Sequence, residues 1–224
     1  MSHPDQWFGD QTFSQHGEDL VVLSLFKQLG IDKPTYLDVG AHHPLNISNT
    51  ALLNKRGSIG IDVEPNPNLC ELLKKERPRD IILNVGVGRQ HGRAIYHMID
   101  DFSGRNTFSE SAAQQFVKDN PYFQIRKRVE MDVMTLDEIV DQYWRGAYPD
   151  FLSIDCEGMD AEILRAMRGG SYFRQPKVIC VESPHRSVQD LELWNLLKFQ
   201  GYDRVIRMGE NVIWVQQYLA WYLQ

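Results

Sequence analysis

The 224-residue sequence has no apolar run approaching the roughly 20 residues of a membrane span, and it has no excess of basic charge. Lys and Arg number 24 against 30 Asp and Glu, a net charge of −6. The first absence predicts a chain that does not cross a membrane. The second argues against a nucleic acid or an anionic membrane held by bulk electrostatics and favours a small neutral or cationic ligand. Cysteine is scarce. Cys70, Cys156 and Cys180 are widely spaced, form no CxxC or Cys/His pattern and leave an odd thiol over, so free thiols in a reducing compartment are expected instead of a disulfide framework. Met1 to Gln15 lack the basic start and apolar stretch of a secretory signal, which makes a cytoplasmic location the expectation. Repeats and low-complexity tracts are also missing.

What is present suits one α/β domain over residues 1–224, with 42% hydrophobic residues for its core. Apolar runs bounded by turn residues alternate with helical spacing, the pattern of a mostly parallel sheet with helices on both faces. Strands are predicted at 36–40, 58–64, 81–85, 151–155 and 178–182. Helices are predicted at 19–29 within an N-terminal helical segment 1–30, and at 48–55, 68–75, 160–167 and 188–199. Segments 202–207 and 212–216 straddle Met208-Gly209-Glu210-Asn211 and predict a C-terminal antiparallel hairpin. Residues 89–148 read as an elaboration contributing to a substrate pocket. It carries strands at 94–99 and 129–133, a polar loop at 100–107 whose Ser103-Gly104-Arg105-Asn106-Thr107 part is suited to closing over substrate, and a helix at 135–143 opened by the capping-box pair Thr135 and Glu138. The short basic runs Lys74-Lys75-Glu76-Arg77 and Arg126-Lys127-Arg128 read as solvated faces. The apolar end, Tyr218 to Leu223, is expected to dock or to make a homodimer contact.

Ligands of open parallel sheets collect outside the carboxyl ends of the strands, and most of these strands end in acids: Asp38, Glu64, Asp155 with Glu157, and Glu182, while Asn84 ends the third. Gly40 lets a backbone approach a ligand, and Glu64, 26 residues beyond Asp38, has workable spacing to accept ribose hydroxyls. After Gly40 come Ala41-His42-His43-Pro44, with no further glycine to cradle a pyrophosphate. That favours a nucleoside without phosphates. Gathered carboxylates need a shared positive charge or a retained proton, which a sulfonium supplies. Mg²⁺ or another divalent metal on Asp155, Glu157 and Glu182 would supply it too.

The ordered set Ser14-Gln15-His16-Gly17-Glu18-Asp19, Asp38-Val39-Gly40-Ala41-His42-His43-Pro44, Ser48-Asn49-Thr50, Glu64-Pro65, Thr135-Leu136-Asp137, Asp155-Cys156-Glu157-Gly158 and Val181-Glu182 resembles FkbM-type methyltransferases over roughly residues 14–185. The resemblance implies a Rossmann-like class I fold that uses S-adenosylmethionine, in a family that often methylates hydroxyls of sugars, polyketides or related metabolites. It implies that Gln15, Glu18, Asp38, Gly40, Ala41, His42 and Asn49 line the cofactor, that Glu64 with Pro65 holds the ribose, and that Asn84 and Val85 flank the adenine. Asp155 then lies beside the amino group or the reacting centre. His42-His43-Pro44 departs from the asparagine-containing turn of many relatives.

Methyl transfer to a protonated hydroxyl needs alignment and a proton acceptor. Candidates on the same rim are Asp155, Glu157, Glu182, His43 and His185. For Glu157 an N-terminal cap of the following helix is an equal alternative. The acceptor expected from the resemblance is a small-molecule or glycan hydroxyl. A nucleotide-dependent oxidoreductase and a non-catalytic binding domain stand as the competing readings.

Overall fold

The computed structural model describes residues 11–156, 158–168, 174–183 and 188–223. In chain order the elements are α1 (Glu18–Gln28), β1 (Tyr36–Val39), α2 (Ala51–Lys55), β2 (Gly60–Val63), α3 (Pro67–Glu76), β3 (Ile81–Leu83), β4 (Gly86–Val87), β5 (Gly92–Met98), α4 (Glu110–Asp119), β6 (Lys127–Met134), α5 (Leu136–Tyr143), β7 (Phe151–Ile154), α6 (Asp160–Arg165), β8 (Val178–Glu182), α7 (Val188–Phe199), β9 (Tyr202–Met208) and β10 (Asn211–Gln216), followed by a 3₁₀ helix (Gln217–Leu223).

Seven strands form one sheet in the order β3-β2-β1-β7-β8-β10-β9. Pairing is parallel from β3 to β8, and β10 runs antiparallel to both β8 and β9. This is the α/β fold expected, a Rossmann-like sheet closed by an antiparallel hairpin. The 89–148 segment folds around a separate sheet, β4-β6-β5, whose outer pair is antiparallel.

Alternate residues of each central strand serve opposite faces. Leu37, Val39, Ile61, Val63, Leu152 and Ile154 join Ile139, Ile163, Leu164, Leu193 and Leu197 in one core. On the other face Tyr36, Phe151, Val178 and Cys180 meet Val22 and Phe26 of α1 and Leu52 and Leu53 of α2. The same alternation puts Asp38, Asp62 and Ser153 side by side on that second face, as the strand register confirms. Three polar residues inside a core require partners, and these come from Thr50 for Asp38, the buried Arg77 for Asp62 and Asn49 for Ser153.

Gly209 shows why the N-terminal motif lies where it does. Its φ is +57°, and an added Cβ would fall 2.4 Å from the His16 ring. The turn of the β9–β10 hairpin therefore accepts His16 directly. The capping box of α5 forms as predicted, with Thr135 and Glu138 each satisfying the other's backbone N–H. The C-terminal turn docks on its own domain, Leu219 entering the core beneath α1. Three of the described elements were absent from the sequence reading, the two-residue β4, the helix α4 and the closing 3₁₀ helix.

Candidate functional site

The sheet order changes direction between β1 and β7, and their carboxyl ends meet at Gly40 and Asp155. Gly40 has φ +80°, and a Cβ there would lie 2.0 Å from the Asp155 carbonyl oxygen. The Asp155 N–H donates to Val39 O at 3.0 Å, while the Gly40 and Ala41 N–H groups donate to Val63 O at 2.9 and 3.1 Å. Three strand ends are thus knitted into one backbone shelf. Asp155 is exposed on it, and Glu182, half-buried, ends the next strand.

Glu64 occupies the end of β2, only 4% exposed. Its Oε2 accepts the His42 N–H at 2.8 Å and its Oε1 accepts the Asn66 N–H at 2.7 Å. Each carboxylate oxygen has room for a second hydrogen bond, so two adjacent hydroxyls fit the acceptors that remain. Burial pushes this carboxyl up to about 7, against the pull of the Asn66 and His42 N–H groups. The Asn84 amide donates to the Glu64 and Pro65 carbonyls at 2.9 and 2.8 Å. It therefore locks β3 to β2 and leaves half-buried Val85 beside it.

Beneath the shelf lies a buried charge network. Arg77 donates to Asp62 Oδ1 at 2.6 Å, Thr50 Oγ1 at 2.9 Å, Ser48 Oγ at 2.8 Å and Pro44 O at 2.8 Å. Thr50 in turn donates to Asp38 Oδ2 at 2.5 Å. The solvated role expected for Arg77 is overturned: its guanidinium is 2% exposed. Burial alone would lower its pKa, but Asp62, Tyr36, Asp38 and Asp80 hold the charge in place. Burial raises the Asp38 and Asp62 carboxyls against the same guanidinium. Asp38 therefore braces the 42–50 turn from below, and Asn49 braces it from the side through Ser153 Oγ at 3.2 Å.

His43 Nδ1 accepts the Leu45 and Asn46 N–H groups at 3.1 and 3.0 Å. The proton of the neutral ring then sits on Nε2, and burial, His42 and Arg77 lower its pKa. A ring held in that tautomer offers its Nε2–H as a donor.

A family description matches residues 38–204, that of the methyltransferase FkbM domain. It spans well over half of the sequence. The chain belongs to the FkbM methyltransferase family. Solved structures of low identity resemble this member: a TehB-like SAM-dependent methyltransferase from Corynebacterium glutamicum ATCC 13032 Kitasato (12% identity, TM-score 0.44, covering 90% of this chain and 88% of that one); a precorrin-6y C5,15-methyltransferase from Geobacter metallireducens GS-15 (15%, 0.43, 95% and 93%); and the methyltransferase domain of bacterial CtHen1-CN (11%, 0.42, 89% and 97%). No curated protein matches the sequence.

S-adenosylmethionine is the cofactor of this family, and the residues at the strand ends fit it: an acid with two spare acceptor positions at β2, and acids in place of phosphate-binding bases at β7 and β8. The FkbM match begins at Asp38, after the Ser14–Asp19 motif. There Gln15 is exposed, while Glu18 is fully buried, accepting the His16 N–H at 2.8 Å and the Asn211 amide at 2.7 Å. Burial pushes Glu18 upward, but these donors hold it below the usual value. Asp19 likewise binds the loop before it, accepting from Thr12 Oγ1 and Phe13 N at 2.7 Å each.

Glu157 and His185 lie outside the described residues. Met159 stands at the N-cap of α6 without a side-chain cap bond, and Asp160, the first residue of the helix, accepts the Cys156 and Gly158 N–H groups at 3.0 and 3.2 Å; burial raises its pKa to about 7. Among the described residues no three His, Cys, Asp or Glu side chains gather as a metal cluster, and no helix is long and apolar enough to cross a membrane. Sequence reasoning missed Arg77, Asn66 and Asp160. The Asn66-Pro67 pair carried a signal, a helix cap followed by proline at the first helical position.

Proposed function

We propose that this chain methylates a hydroxyl oxygen of a small metabolite, sugar or natural product, with Asp155 receiving the hydroxyl proton. The observation that carries this reading is the contact between Gly40 and the backbone of Asp155, which joins the glycine turn of the cofactor site to an exposed carboxylate. S-adenosylmethionine, when bound, supplies a methyl group on an electrophilic sulfonium. Glu64 would accept the two ribose hydroxyls, Ala41, Pro65 and Val85 would border the nucleoside, and the Gly40 shelf would face the amino-acid part. Asp155 would orient the acceptor hydroxyl and take its proton as the oxygen bonds the methyl carbon and the carbon–sulfur bond breaks, with S-adenosylhomocysteine as the leaving group. Glu182 adds a second negative charge on the rim that favours the sulfonium over a neutral thioether.

Calorimetry with S-adenosylmethionine and S-adenosylhomocysteine, followed by a hydroxyl-bearing acceptor panel, tests the reading. Wild type should bind both and transfer methyl to oxygen. Asp155→Asn should keep cofactor binding and lose activity by about 10²- to 10⁴-fold, the usual contribution of a positioned proton acceptor. Binding without turnover on any acceptor, or methyl found on nitrogen, would count against it.

A further inference from the structure

The two residues that give their backbone N–H groups to Glu64 also reach, with their side chains, a single loop. His42 Nε2 lies 3.1 Å from Phe102 O, which fixes that nitrogen as the donor. The Asn66 amide donates to Asp101 O at 2.9 Å, joined by Asn68 Nδ2 at 3.1 Å. Asn66 itself is fully buried, although it stands next to the strand-end shelf.

The loop they hold is internally braced. Asn106, also buried, accepts the Ile99 N–H at 2.8 Å and donates to Asp100 O at 3.0 Å. Asp100 accepts the Phe102 N–H at 2.9 Å, and His97 and Thr107 close its base with reciprocal backbone hydrogen bonds. Its tip presents backbone carbonyls to three side-chain donors, which is a latch of neutral hydrogen bonds. Each such bond is of a strength that breaks and reforms readily.

We infer that the 100–106 loop is the cover of the ribose site, and that His42, Asn66 and Asn68 are positioning residues tying its closure to the Glu64 carboxylate. The inference rests on the proposed role of Glu64 as ribose acceptor and adds how the cofactor gets in. With the latch made, Glu64 is almost wholly enclosed, so two hydroxyls reach its spare acceptor positions only when Asp101 and Phe102 move off. Closing again over the bound nucleoside excludes water from those hydrogen bonds. The latch therefore slows both entry and escape.

Asn68→Ala removes a latch donor without touching Glu64, and Asn66→Asp keeps the helix cap and the backbone N–H while losing the other donor to Asp101 O. Hydrogen exchange of residues 100–106 in the ligand-free protein should speed up about fivefold to tenfold in either variant, the worth of one such bond. The association and dissociation rate constants of S-adenosylhomocysteine should rise together by a similar factor. A merely structural role for Asn68 would leave those rates alone. Wild-type rate constants in both variants would overturn the cover while leaving the cofactor reading intact. Failure of wild type to bind S-adenosylhomocysteine would overturn both.

Discussion

Gly40 and Asp155 are 115 residues apart and touch backbone to backbone: the space a Gly40 side chain would fill is taken by the Asp155 carbonyl oxygen. The contact ties the first and fourth strands of the central parallel run at their carboxyl ends. Any side chain at Gly40 must push the two strand ends apart and also adopt a left-handed backbone. Gly40→Ala should lower stability by more than about 2 kcal/mol, counting both the positive φ and the overlap. S-adenosylhomocysteine affinity should fall with it. Urea denaturation and calorimetry of the variant check the pair.

Arg77 faces the Asp62 carboxylate and the Asp38–Thr50 pair with almost no access to water. Removing it leaves buried carboxyls without their cation, so Arg77→Met should cost about 3–5 kcal/mol. A shift in the urea midpoint measures this. A loss under about 1 kcal/mol would mean that the network contributes little to holding the 42–50 turn.

Glu64 gives a pH dependence with a definite sign. Its ordinary value is 4.5 and in the fold it is about 7, so between these the folded chain keeps a proton that the unfolded chain has lost. That stabilisation is fully present below about pH 4.5 and is lost as the pH rises to about 7, roughly 3 kcal/mol in all. Asp160, also raised to about 7, adds a parallel loss. Urea titrations from pH 5 to 8 should show stability falling, with a shallower slope in Glu64→Gln.

Cofactor affinity should move the opposite way. Ribose hydroxyls donate, so they bind the ionised carboxylate best, and with a group titrating near 7 the ionised fraction changes about tenfold between pH 6 and 8. Calorimetry should find S-adenosylhomocysteine bound about tenfold more tightly at pH 8. An affinity independent of pH would remove Glu64 from the ribose.

Thr135 provides a control whose hydrogen bonds stay within the first turn of α5. Its hydroxyl accepts the Glu138 N–H at 3.2 Å within a complete capping box, so Thr135→Ala should cost about 1 kcal/mol. Cofactor affinity should stay unchanged, as calorimetry on the variant would show.

The central strands were legible because each is a short apolar run, all but the third ended by an acid, and the register leaves Asp38, Glu64, Asp155 and Glu182 at the carboxyl ends where the sequence put them. The helix α4 was not legible. Of its residues only Ala113 is buried, so it has no apolar stripe to read. Arg77 failed for a different reason: it follows Lys74, Lys75 and Glu76, which are exposed, and nothing local says that the last member of a basic run turns inward. Its partners Asp62 and Thr50 come from other elements, so only their assembly shows the need for a cation. The roles of His42 and Asn66 were hidden in the same way, because each works through a loop more than 30 residues away in the chain.

The Glu18 carboxylate waits 193 residues for the Asn211 amide that satisfies it. During synthesis, most of the parallel strands leave the ribosome before that partner exists. A nascent chain halted before the β9–β10 hairpin would hold an acid destined for the interior with nothing there to receive it, so docking of the N-terminal motif is postponed until Asn211 has been made.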